Sequence, residues 1–353
     1  MGTKIIGVGS YIPTGVAPNN QFEQHSFYTE DGSRFDHENS VIIEKFKAIT
    51  GISERRYIKD ELNTSDIAFY AAEKAIADAQ IDPETLDYII VANNYGDVKH
   101  NSQQSDTVPS LGSRVKHLLK IKNPNCVAYD IMFGCPGWVE GMITAHAYIK
   151  SGMAKNCLVI GAEALSRVVD QHDRDSMIYS DGAGAMVVSA SDDDGSGILS
   201  HKSATFSLDE AHFIYFGESN NQEVNDARRY IKMYGRKIYN FALSNVPEAM
   251  KSCLDESGVG ISELKKIFIH QANEKMDEAI IKRFYKLYGM DAPDGVMPMT
   301  INKLGNSSVA TVPTLYDLVR NNQLEGHRID KGDVVMFASV GAGMNINAIV
   351  YKV

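Results

Sequence analysis

Apolar residues in this chain fall in short unbroken runs, and the segments between those runs carry them at helical spacing. Lys4 to Gly9, Asp87 to Asn93, Asn125 to Asp130, Asn156 to Gly161 and Gly184 to Ala190 read as strands. Near-continuous hydrophobicity marks them as strands covered on both faces. Thr64 to Gln80 reads as a helix, with Ile67, Ala71, Ala75 and Ala79 on one face and Ser65-Asp66 at its start. Pro136 to Ser151 reads as a second helix, closed by Gly152. The theme repeats with helices over Arg236 to Ser257, Glu274 to Tyr288 and Ser307 to Asn322. Strands over Leu264 to Ile269, Asp333 to Ala338 and Asn345 to Tyr351 accompany them. Pro313 is expected in the early turns of its helix, where a missing N–H costs least. Residues 25 to 47 and 95 to 110 read as polar, loop-rich insertions. The alternation predicts an α/β protein with mixed sheets covered by helices, in two similar lobes, residues 1–200 and 201–353.

Length supports two compact halves, since 353 residues exceed the usual size of one core. The net charge of −10 argues against a nucleic-acid partner. No apolar run reaches the length of a membrane span, and no signal-peptide pattern opens the chain, so a cytoplasmic protein is expected. Met1-Gly2 does not start a myristoylation pattern, because position six is Ile6. Cys126, Cys135, Cys157 and Cys253 show neither close pairing nor zinc spacing, so no metal site is expected. Gly7-x-Gly9 lacks the third glycine of a dinucleotide fingerprint, with Ile12 in its place. Asp192 to Gly195 reads as a surface turn and Asp170 to Asp175 as a solvated loop.

Three polar residues stand where a strand or turn hands over to a helix: Cys135, His270 and Asn306. Cys135 follows an apolar strand and precedes Pro136, a residue suited to a first helical position. Cys135 is therefore expected to cap the helix, with the positive end of the helix dipole favouring its thiolate. Cys126, Cys157 and Cys253 are expected to be buried as small hydrophobes. His270 ends the run Ile267-Phe268-Ile269, and Asn306 lies in Gly305-Asn306-Ser307-Ser308. Alone, each suits a structural histidine and a turn. Beside a thiol, two neutral donors can hold a thioester carbonyl and stabilise an enolate without repelling its charge.

Five segments resemble, in order, the 3-ketoacyl-acyl carrier protein synthase III family of thiolase-fold condensing enzymes. They are Thr50-Gly51-Ile52-Ser53-Glu54-Arg55-Arg56, Ser180-Asp181-Gly182-Ala183-Gly184-Ala185, His270-Gln271-Ala272-Asn273, Gly305-Asn306-Ser307-Ser308 and Gly341-Ala342-Gly343. The resemblance implies a thiolase-like fold, usually homodimeric, with Cys135, His270 and Asn306 as catalytic residues. It implies an oxyanion hole from the backbone N–H groups of Cys135 and Ala342. It also implies partners that are acyl carrier protein or coenzyme A thioesters, and no cofactor. Lys275 matches a basic family position used in carrier docking, and Lys282 and Lys286 extend it along one helical stripe. Arg228, Arg229, Lys232, Arg236 and Lys237 form a second basic stretch. The chain departs from the family at Ile49, where an arginine is expected, and its only tryptophan is Trp138. The implied activity is a decarboxylative Claisen condensation of an acyl thioester with a malonyl thioester. Acyl transfer to an alcohol, amine or second acyl-CoA without decarboxylation is the neighbouring possibility. A non-catalytic thiolase-fold subunit is a third.

Overall fold

The computed structural model describes residues 2–102, 104–193, 195–224 and 227–353. Two sheets dominate. The first contains β1 (Gly2–Tyr11), β4 (Tyr88–Ala92), β5 (Val127–Ile131), β6 (Asn156–Ala164) and β7 (Asp181–Ser191) in the order β1-β7-β6-β4-β5. The second contains β8 (Gly197–Thr205), β11 (Leu264–Ile269), β12 (Val334–Gly341) and β13 (Asn345–Lys352) in the order β11-β12-β13-β8. Small two-stranded ribbons pair β2 (Gly15–Pro18) with β3 (Glu54–Tyr57), and β9 (Ile214–Gly217) with β10 (Tyr230–Met233).

The second sheet repeats the first. β1 runs antiparallel to β7, β7 antiparallel to β6, and β6 parallel to β4. Likewise β8 runs antiparallel to β13, β13 antiparallel to β12, and β12 parallel to β11. β8 crosses residue 200 and belongs to the second sheet. Helices follow the same plan: in chain order α2 (Thr64–Ala79) comes after β1 and before the rest of its sheet, as α5 (Gly235–Ser257) comes after β8. α4 (Gly137–Lys150) leads into β6 as α8 (Thr311–Arg320) leads towards β12. α1 (Asn39–Thr50), α3 (Leu111–Leu118), α6 (Glu274–Lys286) and α7 (Ile301–Leu304) complete the set.

Strand periodicity sorts the core into layers. Ile90, Val159, Met186 and Val188 of the first sheet meet Phe268, Val335 and Phe337 of the second through Trp138, Met142, Leu315 and Tyr316 of α4 and α8. The alternate residues Ile89, Val91, Leu158 and Val187 face α2 and α3. Met336 and Ala338 face α5 and α6. The result is a five-layered α/β/α/β/α stack with α4 and α8 in the middle. An aromatic cluster welds that middle layer: Trp138 and Tyr316 both stand edge-on to Phe337, with centroids 5.6 and 5.3 Å away.

Several sequence expectations hold, and several need revision. Gly152, just past α4, takes φ +76, and Pro313 falls in the first turn of α8. Cys126, Cys157 and Cys253 are buried. The stretch 25–47 contains the start of α1, whose buried residues Ile42, Phe46 and Thr50 recur every fourth position. No helix among the described residues is long and apolar enough to cross a membrane. The acidic loop at Asp170 to Asp175 is not simply solvated. Asp170 is 1% exposed, and it and Asp173 bind Lys232 Nζ at 2.6 and 3.1 Å. That pairing withdraws Lys232 from the basic surface stretch expected of it. The turn at Asp192 to Gly195 includes residue 194, which is outside the described residues.

The family-like segments that carry no reactive group are structural pins. Arg55, fully buried, donates to the Ala17 and Met177 carbonyls and to Asn19 Oδ1 at 2.8, 3.0 and 2.6 Å. Asp181 accepts from the Ile58 and Ser166 N–H groups, each at 2.8 Å. Together they hold β3 against the end of β7, beneath the segment that carries Asn306.

Candidate active site

Cys135 lies in the bend between β5 and α4. The helix starts at Gly137 with Pro136 at its cap, so Cys135 stands one residue before the cap instead of occupying it. The bend is shaped by close backbone contact with the C-terminal loop. A Cβ on Gly134, whose φ is +66, would fall 2.7 Å from the Ala342 backbone N. A Cβ on Gly341 would fall 2.6 Å from the Cys135 backbone N. Only glycine permits that approach. Ala342 fits because the left-handed conformation falls on Gly343 and Met344, at φ 78 and 47.

His270 prolongs the β11 ladder, its N–H donating to the Ala338 carbonyl at 2.9 Å. The residues after it explain the run His-Gln-Ala-Asn. Gln271 donates to the Pro298 carbonyl at 2.8 Å and accepts from the Thr300 N–H at 3.0 Å. Asn273 caps α6 by accepting from the Met276 N–H at 3.1 Å. Asn306 is fixed to the end of the first lobe: its N–H donates to the Ile178 carbonyl at 3.0 Å, and its carbonyl accepts from the Ser180 N–H at 2.8 Å. Its side-chain oxygen accepts from the Ser308 N–H at 2.8 Å, which leaves the amide NH2 as the group free to donate.

Cys135, His270, Asn306 and Ala342 line one cavity of about 430 Å³. Tyr95, Phe133, Leu165, Tyr179, Phe216 and Ile231 supply much of its apolar wall. A neighbouring cavity of about 600 Å³ shares Met233, Ile238, Ala272, Met276 and Asn306 with it, and extends outward to Lys45, Arg174 and Arg236. Ile49, 53% exposed, lines this outer cavity where the family has arginine.

Electrostatics differ from the sequence expectation at the thiol. Burial pushes Cys135 up to about 11; the Ser308 hydroxyl opposes that rise and the Glu163 carboxyl adds to it. Desolvation therefore outweighs the helix start, and the resting group is a thiol. Burial pushes His270 down to about 4, with the nearby Ser308 backbone partly offsetting it. The imidazole is therefore neutral at pH 7, with a single N–H to donate.

Lys275, Lys282 and Lys286 are exposed on α6. Lys275 adjoins Met276 of the cavity wall, Lys282 stands about two turns further on, and Lys286 pairs with Asp291 at 2.7 Å. Sequence reasoning missed the apolar wall from the β9–β10 ribbon, whose strands are four residues long and flanked by polar segments. It also missed Asn94 and Glu163. Glu163 was detectable as the single charge in the apolar strand Asn156–Ala164.

Duplicated sheets with a thiol, an imidazole and an amide at their seam define the thiolase fold, the architecture of thioester-condensing enzymes. Residues 129–206 match the family model described as 3-oxoacyl-[acyl-carrier-protein (ACP)] synthase III, and residues 254–353 match its C-terminal counterpart. The β-ketoacyl-[acyl-carrier-protein] synthase III 1 of Vibrio parahaemolyticus is 33% identical over 353 residues, covering all of both chains. The crystal structure of 3-oxoacyl-[acyl-carrier-protein] synthase III from Aquifex aeolicus superposes with a TM-score of 0.80 at 31% identity, again over both whole chains. A priming β-ketosynthase of the R1128 polyketide pathway shares the fold at 24% identity and a TM-score of 0.81, over 99% of this chain and 96% of the other. The chain belongs to the 3-oxoacyl-[acyl-carrier-protein] synthase III family.

Proposed function

We propose that the protein condenses an acyl thioester with a malonyl thioester to give a 3-ketoacyl thioester and carbon dioxide. The observation that carries this reading is the cavity shared by Cys135, His270 and Asn306, reached through an outer cavity with cations at its mouth. In the first half-reaction Cys135 Sγ attacks the acyl carbonyl carbon, the donor C–S bond breaks, and the thiol proton ends on the departing thiol. The backbone N–H groups of Cys135 and Ala342 hold the carbonyl oxygen in that step. In the second, the malonyl carboxylate leaves as carbon dioxide, and His270 and Asn306 donate to the enolate oxygen. The enolate carbon attacks the acyl-cysteine, and the released sulfur takes up one proton.

Lys45, Arg174 and Arg236 at the outer mouth suit the phosphate of a phosphopantetheine arm, whose thioester end reaches inward. The exposed stripe of Lys275, Lys282 and Lys286 suits the acidic surface of a carrier protein. We place the boundary between the lobes ahead of Gly197, because β8 pairs with β13. A homodimer through β5 is part of the same reading. That strand is an edge of its sheet, and Val127 and Met132 beside the edge are 47% and 73% exposed.

The test is intact-protein mass spectrometry after incubation with acyl-CoA and acyl-carrier donors. The expected result is one acyl adduct that maps to Cys135 and disappears in Cys135→Ala. Malonyl-carrier should then release carbon dioxide and discharge the adduct. An adduct discharged to an alcohol, with no carbon dioxide released, refutes the condensation. Asn306→Ala should form the adduct but lower decarboxylation by about a hundredfold or more, the size expected for losing one such donor.

A further inference from the structure

Behind the nucleophile lies a chain of hydrogen bonds that the reaction scheme above does not use. Glu163 is fully buried, and no cation pairs with it among the described residues. One of its carboxyl oxygens accepts from the Asn94 backbone N–H at 3.1 Å and from Asn94 Nδ2 at 2.8 Å. Asn94 Oδ1 accepts from the Gly134 N–H at 3.0 Å, in the bend that carries the sulfur. Asn94 Nδ2 also approaches Ser308 Oγ at 3.5 Å, and Ser308 Oγ lies 3.3 Å from Cys135 Sγ.

The chain has one direction. The Gly134 backbone N–H can only donate, so it alone fixes the orientation of the Asn94 amide, although burial pushes Glu163 up to about 8 and leaves it largely the neutral acid at pH 7. The amide NH2 must face Glu163 and its oxygen must face Gly134. The second NH2 hydrogen then points at Ser308 Oγ. A hydroxyl that accepts there directs its own single proton to the sulfur. Ser308 holds this position at φ +52, a conformation that a non-glycine residue adopts only under constraint. The constrained backbone at Ser308 and the buried Asn94–Glu163 pair behind it hold one hydroxyl in place.

We propose that Ser308 is a further catalytic residue, donating to Cys135 Sγ and stabilising the attacking thiolate, with Asn94 and Glu163 as positioning residues that fix the direction of that donation. The proposal rests on Cys135 being the acylated group. During acylation the Cys135 S–H and donor C–S bonds break, the new S–C bond forms, and the thiol proton ends on the leaving thiol. Ser308 keeps its own proton throughout.

The test is the pH profile of Cys135 alkylation by iodoacetamide on the full-length protein, followed by peptide mapping. Ser308→Ala should slow alkylation near neutrality by about tenfold and move the profile to higher pH, the scale of one hydrogen bond to a charged group. Ser308→Gly should behave the same way although glycine relaxes the positive φ. Asn94→Leu, nearly isosteric and unable to orient the hydroxyl, should move the profile in the same direction and add little to Ser308→Ala in the double variant. Wild-type profiles in Ser308→Ala and Ser308→Gly overturn the proposal, as does a loss confined to Ser308→Ala, which would assign the effect to backbone strain. If Ser308→Ala does not fold, an unshifted profile in Asn94→Leu overturns it instead. Acyl donors are not needed for this readout. Failure of the condensation reading would appear separately, as an acyl adduct absent from Cys135 in the unmodified protein.

Discussion

Burying an imidazole and a thiol in one cavity moves both away from titration near neutrality, and each ends in its uncharged form. With His270 at about 4, its ring is uncharged at pH 7 and carries a single N–H. With Cys135 at about 11, only a small fraction of the sulfur is thiolate at neutral pH. Alkylation should therefore rise about tenfold per pH unit from neutrality into the alkaline range. A plateau near pH 7 would contradict control by burial. His146 is likewise pushed down to about 4 by burial, with His201 and Lys150 adding to the effect. Above pH 6.5 the ring is neutral in the folded and unfolded chain alike. Between about 6.5 and 4 the unfolded chain takes up a proton that the folded one refuses, so stability falls as acid is added. His146→Gln should lose less stability than the parent between pH 7 and pH 5, by on the order of 1–2 kcal/mol in urea titrations. Cys135, His270 and Asn306 stand out in the sequence because a thiol, an imidazole and an amide recur at strand-to-helix junctions, and the structure brings them into one cavity. The sign of the thiol's shift was not legible, because a helix start is visible in sequence and the apolar lid formed by Tyr95, Phe216 and Ile231 is not.

At the scale of elements, the site depends on two joints. The first is the glycine contact between the Cys135 bend and the end of β12. Gly341→Ala would drive a methyl group into the Cys135 backbone and displace it by a few tenths of an ångström or more. Acyl-adduct formation should drop by about a hundredfold, since misplacement on the ångström scale carries that cost. The second joint is Lys232 on β10, which grips Asp170 and Asp173 and so holds the ribbon that roofs the cavity. Lys232→Met leaves two carboxylates without their cation and should cost about 3–5 kcal/mol in denaturant unfolding. Adding Asp170→Asn should recover part of that loss; if it does not, the pair is not the cause. The central strands were readable from unbroken apolar runs such as Tyr88–Ala92. β8 was not, because its outer half alternates with solvent in a segment rich in serine and threonine. α1 was hidden among polar neighbours, with only Ile42, Phe46 and Thr50 marking its inward face.

Across the whole molecule, the two sheets share one central layer, so they are expected to melt together. Phe337 of the second sheet meets Trp138 of α4 in that layer, which packs on the first sheet from its other side. Phe337→Ala should cost about 3–5 kcal/mol and still give a single transition in calorimetry. Two separate transitions would contradict a shared core. The architecture also distributes the chemistry. Cys135 precedes α4 in one half, and Asn306 precedes the corresponding α8 in the other, with His270 at the end of β11. A chain severed between Ser191 and Gly197 would therefore give one fragment with the sulfur and another with the imidazole and the carboxamide. Neither fragment should turn over alone, and activity should return on mixing, which makes the protein a ready subject for fragment complementation.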